Sequence, residues 1–118
     1  MTRLQTLTLE LLALVHEANS IYYQVREKKE NADFYSEVKP FADRVHALSK
    51  EWETEALDWL KQAKAKPKYL HMPQIKATVE NLELVSVQAF YYQTSLTRFK
   101  NYIESTLFVL NQLAKETE

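Results

Sequence analysis

The chain has 118 residues, no glycine and no cysteine, and apolar side chains make up 46% of it. Fifteen Lys and Arg stand against sixteen Asp and Glu, a net charge of −1. These figures exclude a disulfide-stapled scaffold, a thiolate metal centre or nucleophile, and the strongly basic balance of a general nucleic-acid binder. They fit one domain over residues 1–118, large enough for a real core. A sheet of this size would need tight turns, and tight turns ask for Gly, so helices joined by short connections are expected.

The first helix is predicted from about Leu4 to Lys29. Leu4, Leu7, Leu11, Leu14, Ala18, Ile21 and Val25 step by three and four, a bundle seam that Leu12, Val15 and Tyr22 widen. Glu10 interrupts the apolar run Leu7–Val15 and no small-residue cleavage site follows, so the run reads as core helix, not as a targeting segment. No stretch approaches the roughly 20 apolar residues of a membrane span. Arg26, Lys28 and Lys29 gather at the negative pole of the helix. Asn31 is the expected C-terminal breaker and Asp33 the next N-cap.

A long second helix follows, on the stripe Phe34, Val38, Phe41, Val45, Leu48, Trp52, Ala56, Trp59 and Ala63. Pro40 lies inside this stripe without breaking its phase, which predicts a kinked or tightened first turn. Lys61, Lys64, Lys66 and Lys68 crowd the far end, where helix-end complementarity explains them better than a phosphate site. Pro73 is placed to open a third helix, carried to about Tyr92 by Ile75, Val79, Leu82, Val85 and Ala89. Residues 82–89 nearly alternate and are rich in β-branched side chains, a strand signal. A lone strand would have no partner, so helix is expected. The same stretch leaves a second apolar line, Leu84, Val87 and Tyr91, which the bundle is expected to bury or else to present as a contact surface. Burial is the favoured outcome. Thr94 or Ser95 caps a fourth helix on Leu96, Phe99, Ile103, Thr106, Leu110 and Leu113.

Together these elements predict an all-α protein, an up-down-up-down antiparallel four-helix bundle with a kinked long second helix. That topology brings Tyr22, Tyr23, Phe34, Tyr35, Phe41, Phe90, Tyr91, Tyr92 and Phe99 to one pole, nine of the fourteen aromatic residues. The bundle should therefore be lopsided, with Arg26, Arg44 and Arg98 near those rings. Wide rings filling a flared end are the ordinary explanation. The functional one is a contact site, because Tyr and Arg are frequent anchors for a partner.

Bundles also host di-metal centres, built from inward carboxylates and paired Glu-x-x-His motifs. Here there is a single near miss, Asp43-Arg-Val-His46, while His16 and His71 lie elsewhere. No metal, cofactor or catalytic residue is expected, and no glycine loop is present to cradle phosphates. Glu51, Glu53, Glu55 and Asp58 read as a solvated face, with Asp58 and Lys61 an i,i+3 pair.

With these residues laid out, the chain resembles the YppE-like family of small proteins of unknown function from Bacillus-type bacteria. The resemblance lies in the run Phe34–Asp43 leading to Trp52, in Lys68-Tyr-Leu-His71 before Pro73-Gln-Ile75, and in Glu80–Phe90 followed by Arg98-Phe-Lys100. It implies a compact four-helix bundle in a bacterial, cytoplasmic setting, and it implies no activity, ligand or catalytic residue.

The leading expectation is a small non-enzymatic cytoplasmic module that grips a protein partner or its own copy. Its candidate contact residues are Tyr22, Tyr23, Tyr35, Tyr91, Tyr92 and Arg98 at the aromatic end, with Leu84 and Val87 beside it. The alternative is a small-molecule-binding protein or enzyme with a pocket at the same end, where tyrosine hydroxyls and an arginine would suit an anionic, ring-bearing ligand. RNA stacked on the tyrosines is disfavoured by the charge balance. Neither nucleic acid nor membrane is an expected partner.

Overall fold

The computed structural model describes residues 1–64 and 67–118. Lys66, one of the four clustered lysines, lies outside the described residues. The described residues form four α-helices: α1 (Arg3–Lys28), α2 (Lys39–Gln62, entered through a π-helical turn at Phe34–Val38), α3 (Met72–Gln88) and α4 (Leu96–Glu116). Residues 82–88 are helical, and no strand occurs among the described residues. α1 and α3 each pack on both α2 and α4 and touch one another across the core. Cross-links fix the antiparallel sense, with Arg3 and Thr8 meeting Glu51 and Trp52 while Tyr22 meets Thr94. The bundle is 49 Å along its longest axis. The unit from Phe34 to Gln62, at 1.5 Å per residue, accounts for nearly all of that length.

The predicted seams supply the core, except that Phe34, at the head of the second stripe, is exposed. Leu7, Leu11, Tyr22, Trp52, Ile75, Leu82, Phe99, Leu110 and Leu113 are fully buried, in one cluster drawn from all four helices. Trp52 is the largest of them. Its indole Nε1–H donates to the Thr8 hydroxyl at 3.0 Å, and that hydroxyl donates onward to the Leu4 carbonyl at 2.7 Å. The polar edge of the ring is thus satisfied inside the core.

The ends of the helices depart from expectation in instructive ways. α1 ends one residue early, and Lys29, not Asn31, takes the left-handed cap position at φ 58°. Asn31 serves a different purpose: its side-chain Oδ1 accepts from the Tyr92 backbone N–H at 3.0 Å. Asp33 is the N-cap as expected. Its carboxylate accepts from Ser36 N at 2.8 Å, and Glu37 reaches back to Asp33 N at 3.0 Å.

The first turn of the second helix, where a kink or a tightening was expected, is a wider π-helical turn. Val38 N donates to Asp33 O across five residues, as Lys39 N does to Phe34 O. Pro40 supplies no N–H, and its ring would crowd the carbonyl four residues before it, so a wider turn relieves the clash. Pro73 is the second residue of α3, not the first, and α3 stops at Gln88, four residues short of the predicted end. Ser95 caps α4, while the Thr94 hydroxyl donates to Gln88 O at 2.9 Å.

Without glycine, left-handed backbone falls to ordinary residues, Lys29 and Tyr69. Beside Tyr69, fully buried Leu70 anchors the long connection to the core.

Candidate functional site

The aromatic end exists, and the structure divides its residues between filling and display. Tyr22 is core. Its ring stacks on Phe99 with centroids 4.2 Å apart. Its hydroxyl donates to Thr94 O at 2.5 Å and accepts from Arg26 Nη1 at 3.2 Å. With no exposed surface and its hydroxyl engaged in both directions, Tyr22 is withdrawn from the candidate contact residues. Phe90 is likewise buried, edge-on to half-buried Phe41 at 5.5 Å.

The remaining candidates lie on separate surfaces. Tyr23 is exposed on α1 beside Tyr22. Tyr35 is 78% exposed on the π-turn, edge-on to exposed Phe34 at 5.1 Å. Tyr91 and Tyr92 are half-buried in the connection between α3 and α4, and Arg98 is exposed on the first turn of α4. Ala32 N donates to Phe90 O at 3.1 Å, so with the Asn31–Tyr92 bond the two connections at this end are fastened together. Sequence alone gave no sign of that clasp, because it depends on which loops the bundle brings side by side.

The hollow at this end has a volume of about 240 Å³. Ile21, Val25 and Lys28 of α1 line it together with Asn31, Ala32 and Phe90, and neither tyrosine nor arginine contributes. The cavity of the alternative reading, with tyrosine hydroxyls and an arginine on its walls, does not describe this hollow.

Leu84 and Val87 are 38% and 39% exposed, against the expectation of burial. Ile75, Val79, Leu82 and Val85 already direct one side of α3 into the core. Among the described residues no fifth helix covers the opposite side. Leu84 and Val87 line a shallow open depression of about 490 Å³ together with Glu80, Glu83 and Gln88, and half-buried Tyr91 follows just beyond the helix end. On its α2 flank, His46 Nδ1 lies 3.0 Å from Glu83 Oε1. Asp43 of the near-miss motif is paired with Lys39 at 2.7 Å. Among the described residues no three His, Cys, Asp or Glu side chains gather as a metal site would require.

Two features at the opposite end had no sequence signal. Tyr69 and Phe108 form an exposed edge-on pair at 5.4 Å. A second hollow of about 490 Å³ opens between the start of α1 and the ends of α2 and α4, with Glu55, Asp58, Trp59 and Glu116 on its walls. Beside it Arg3 grips Glu51 through two bonds, Nε–Oε2 at 2.6 Å and Nη2–Oε1 at 2.8 Å. That grip holds the Glu51 carboxyl below, and the Arg3 guanidinium above, their ordinary pKa values.

Comparison with known proteins is decisive about kinship. A bacterial domain of unknown function, DUF1798, matches residues 8–117. The chain belongs to this family. It is similar to the uncharacterized protein YppE of Bacillus subtilis, 29% identical over 111 residues that cover 93% of this chain and 88% of the relative. The crystal structure of that protein superposes with a TM-score of 0.89 at 25% identity, covering 98% of this chain and 94% of the other. A Listeria innocua protein of unknown function gives 0.87 at 25% identity over 95% and 88%. A Staphylococcus aureus member of the DUF1798 family gives 0.85 at 19% identity over 95% and 93%, a likeness of fold alone. The YppE-like resemblance read from residues 34–110 thus identifies the right family. No described helix is long and apolar enough to cross a membrane.

Proposed function

We propose that this member of the DUF1798 family is a small non-catalytic binding module of the bacterial cytoplasm, whose working surface is the outer face of α3 where it approaches the aromatic end. The observation that carries this reading is the exposure of Leu84 and Val87, three residues apart on a helix whose other side already supplies the core. Exposed aliphatic side chains set in a depression and bounded by carboxylates are what a partner's apolar anchor needs. Half-buried Tyr91 follows just beyond the helix end. The absence of cysteine from the chain suits a reducing compartment.

A photo-crosslinking side chain placed at Val87, with a control at exposed His16 on α1, tests the reading in living cells. Adducts formed from position 87 and lost on Leu84→Asp support it. Equal labelling from both positions, or none from 87, rejects it.

A further inference from the structure

Granted that reading, the charge around the depression narrows what fills it, and we infer that the occupant is a cationic amphipathic helix of a different protein. From Glu80 to Tyr91 the chain carries two carboxylates, Glu80 and Glu83, and no lysine or arginine. Both carboxylates line the depression with Leu84 and Val87, and Glu83 there also meets His46 Nδ1 at 3.0 Å. A lysine or arginine flanking the occupant's apolar anchors would lie within reach of them, and partners with matched charge are favoured in encounter and register.

A second copy of this chain fits less well. Two-fold contact between these faces would gather four carboxylates while α3 supplied no cation over the same stretch. Extent argues the same way. The stretch is only about 17 Å long at 1.5 Å per residue, whereas a stable association of whole domains covers about 800 Å² on each side. One helix laid in the depression, with apolar residues at i, i+3 or i+4, and i+7, matches its dimensions.

Selection from a display library of helical peptides about 14 residues long, roughly 21 Å, tests the inference on the intact protein. The peptides enriched should share that apolar spacing and carry net positive charge. Their capture should fall about tenfold on Glu80→Lys with Glu83→Lys, and similarly on Leu84→Asp. It should also weaken as salt rises from about 50 to about 300 mM. Glu80 and Leu84 are exposed and Glu83 is half-buried, and circular dichroism of each variant confirms that the bundle is intact. Neutral or acidic peptides that still need Leu84 would overturn the cationic partner and leave the binding module standing. A concentration-dependent dimer of this chain abolished by Leu84→Asp would do the same in favour of self-association. No enrichment, or enrichment indifferent to Leu84→Asp, would overturn both.

Discussion

Two threonines that are both fully buried should respond in opposite senses to the same substitution. Thr8 Oγ1 accepts the Trp52 indole N–H at 3.0 Å and itself donates to Leu4 O. Thr106 Oγ1 is buried with no hydrogen-bond partner. Valine has nearly the shape of threonine and the same branching at Cβ, so helix propensity and χ1 restriction hardly change. In Thr8→Val the indole N–H loses its acceptor inside the core, at a cost of about 1–3 kcal/mol that the added methyl only partly offsets. In Thr106→Val an unsatisfied hydroxyl gives way to apolar surface, a gain of about 1 kcal/mol. For 118 residues the unfolding entropy near 60 °C is on the order of 250 cal/mol/K, so 1 kcal/mol moves Tm by about 4 °C. The two variants should melt about 8–12 °C apart, on either side of the parent. Thermal and urea unfolding followed by circular dichroism at matched concentration measures this, provided both transitions are two-state. A loss of stability in Thr106→Val would show that the hydroxyl is bonded in solution, and no loss in Thr8→Val would remove the Trp52–Thr8 bond from the account of the core.

Three further outcomes follow from the helix ends and the surface pairs. Lys29→Gly should stabilise by about 0.5–1 kcal/mol, because a left-handed residue outside the helix loses its Cβ penalty; unfolding in urea gives the value, and destabilisation would contradict the cap. Tyr22→Phe should destabilise by about 1–2 kcal/mol by leaving Thr94 O without its donor, with hydrogen exchange accelerated in residues 89–95 and not at the far end. Glu51 is held below its ordinary pKa by the Arg3 hydrogen bond, and Asp33 by hydrogen bonds from Ser36. A depressed carboxyl contributes stability that is fully present above its unfolded value and lost as pH falls through the folded one, so the margin of the parent over Glu51→Gln with Asp33→Asn should shrink below about pH 4. A margin unchanged down to pH 2 would refute it.

The sequence carried the architecture because hydrophobic periodicity carries it. Leu4 to Val25, Val38 to Ala56 and Phe99 to Leu113 each repeat in steps of three and four, and each seam faces the core. The ends were less readable. Asn31 is the better left-handed residue in isolation, yet Lys29 takes the cap and Asn31 bridges to the neighbouring connection, a tertiary contact outside any local window. Pro40 marked the irregular turn, but a widened π-helical turn was not among the forms expected for it, since a proline clash can be relieved in more than one way. The candidate surface was legible only in part. Spacing placed Leu84 and Val87 away from the main stripe of α3, but whether another helix covers them depends on how four helices divide the available contacts. Tyr22 shows the converse: membership of the aromatic end was evident, while its stacking on Phe99 was not.

The clasp at the aromatic end bears directly on what the face of α3 can bind. The C-terminal turns of α3 run into a connection fastened three times: Phe90 O accepts from Ala32, Tyr92 N donates to Asn31, and Thr94 O accepts from Tyr22. These bonds come from the preceding connection and from α1, so Tyr91 sits on backbone fixed from two other parts of the chain, and Leu84 and Val87 lie on the helix that leads into it. A partner helix docking there would have its own ordering to cover but little of the module's, and rigidity before binding favours affinity. The clasp and the surface should consequently be coupled. Tyr22→Phe, which touches no exposed atom of α3, should weaken capture of a Leu84-dependent peptide in proportion to the loosening that hydrogen exchange reports across residues 89–95. Binding that stays constant while those residues exchange faster would show that the aromatic end stabilises the fold and contributes nothing to recognition.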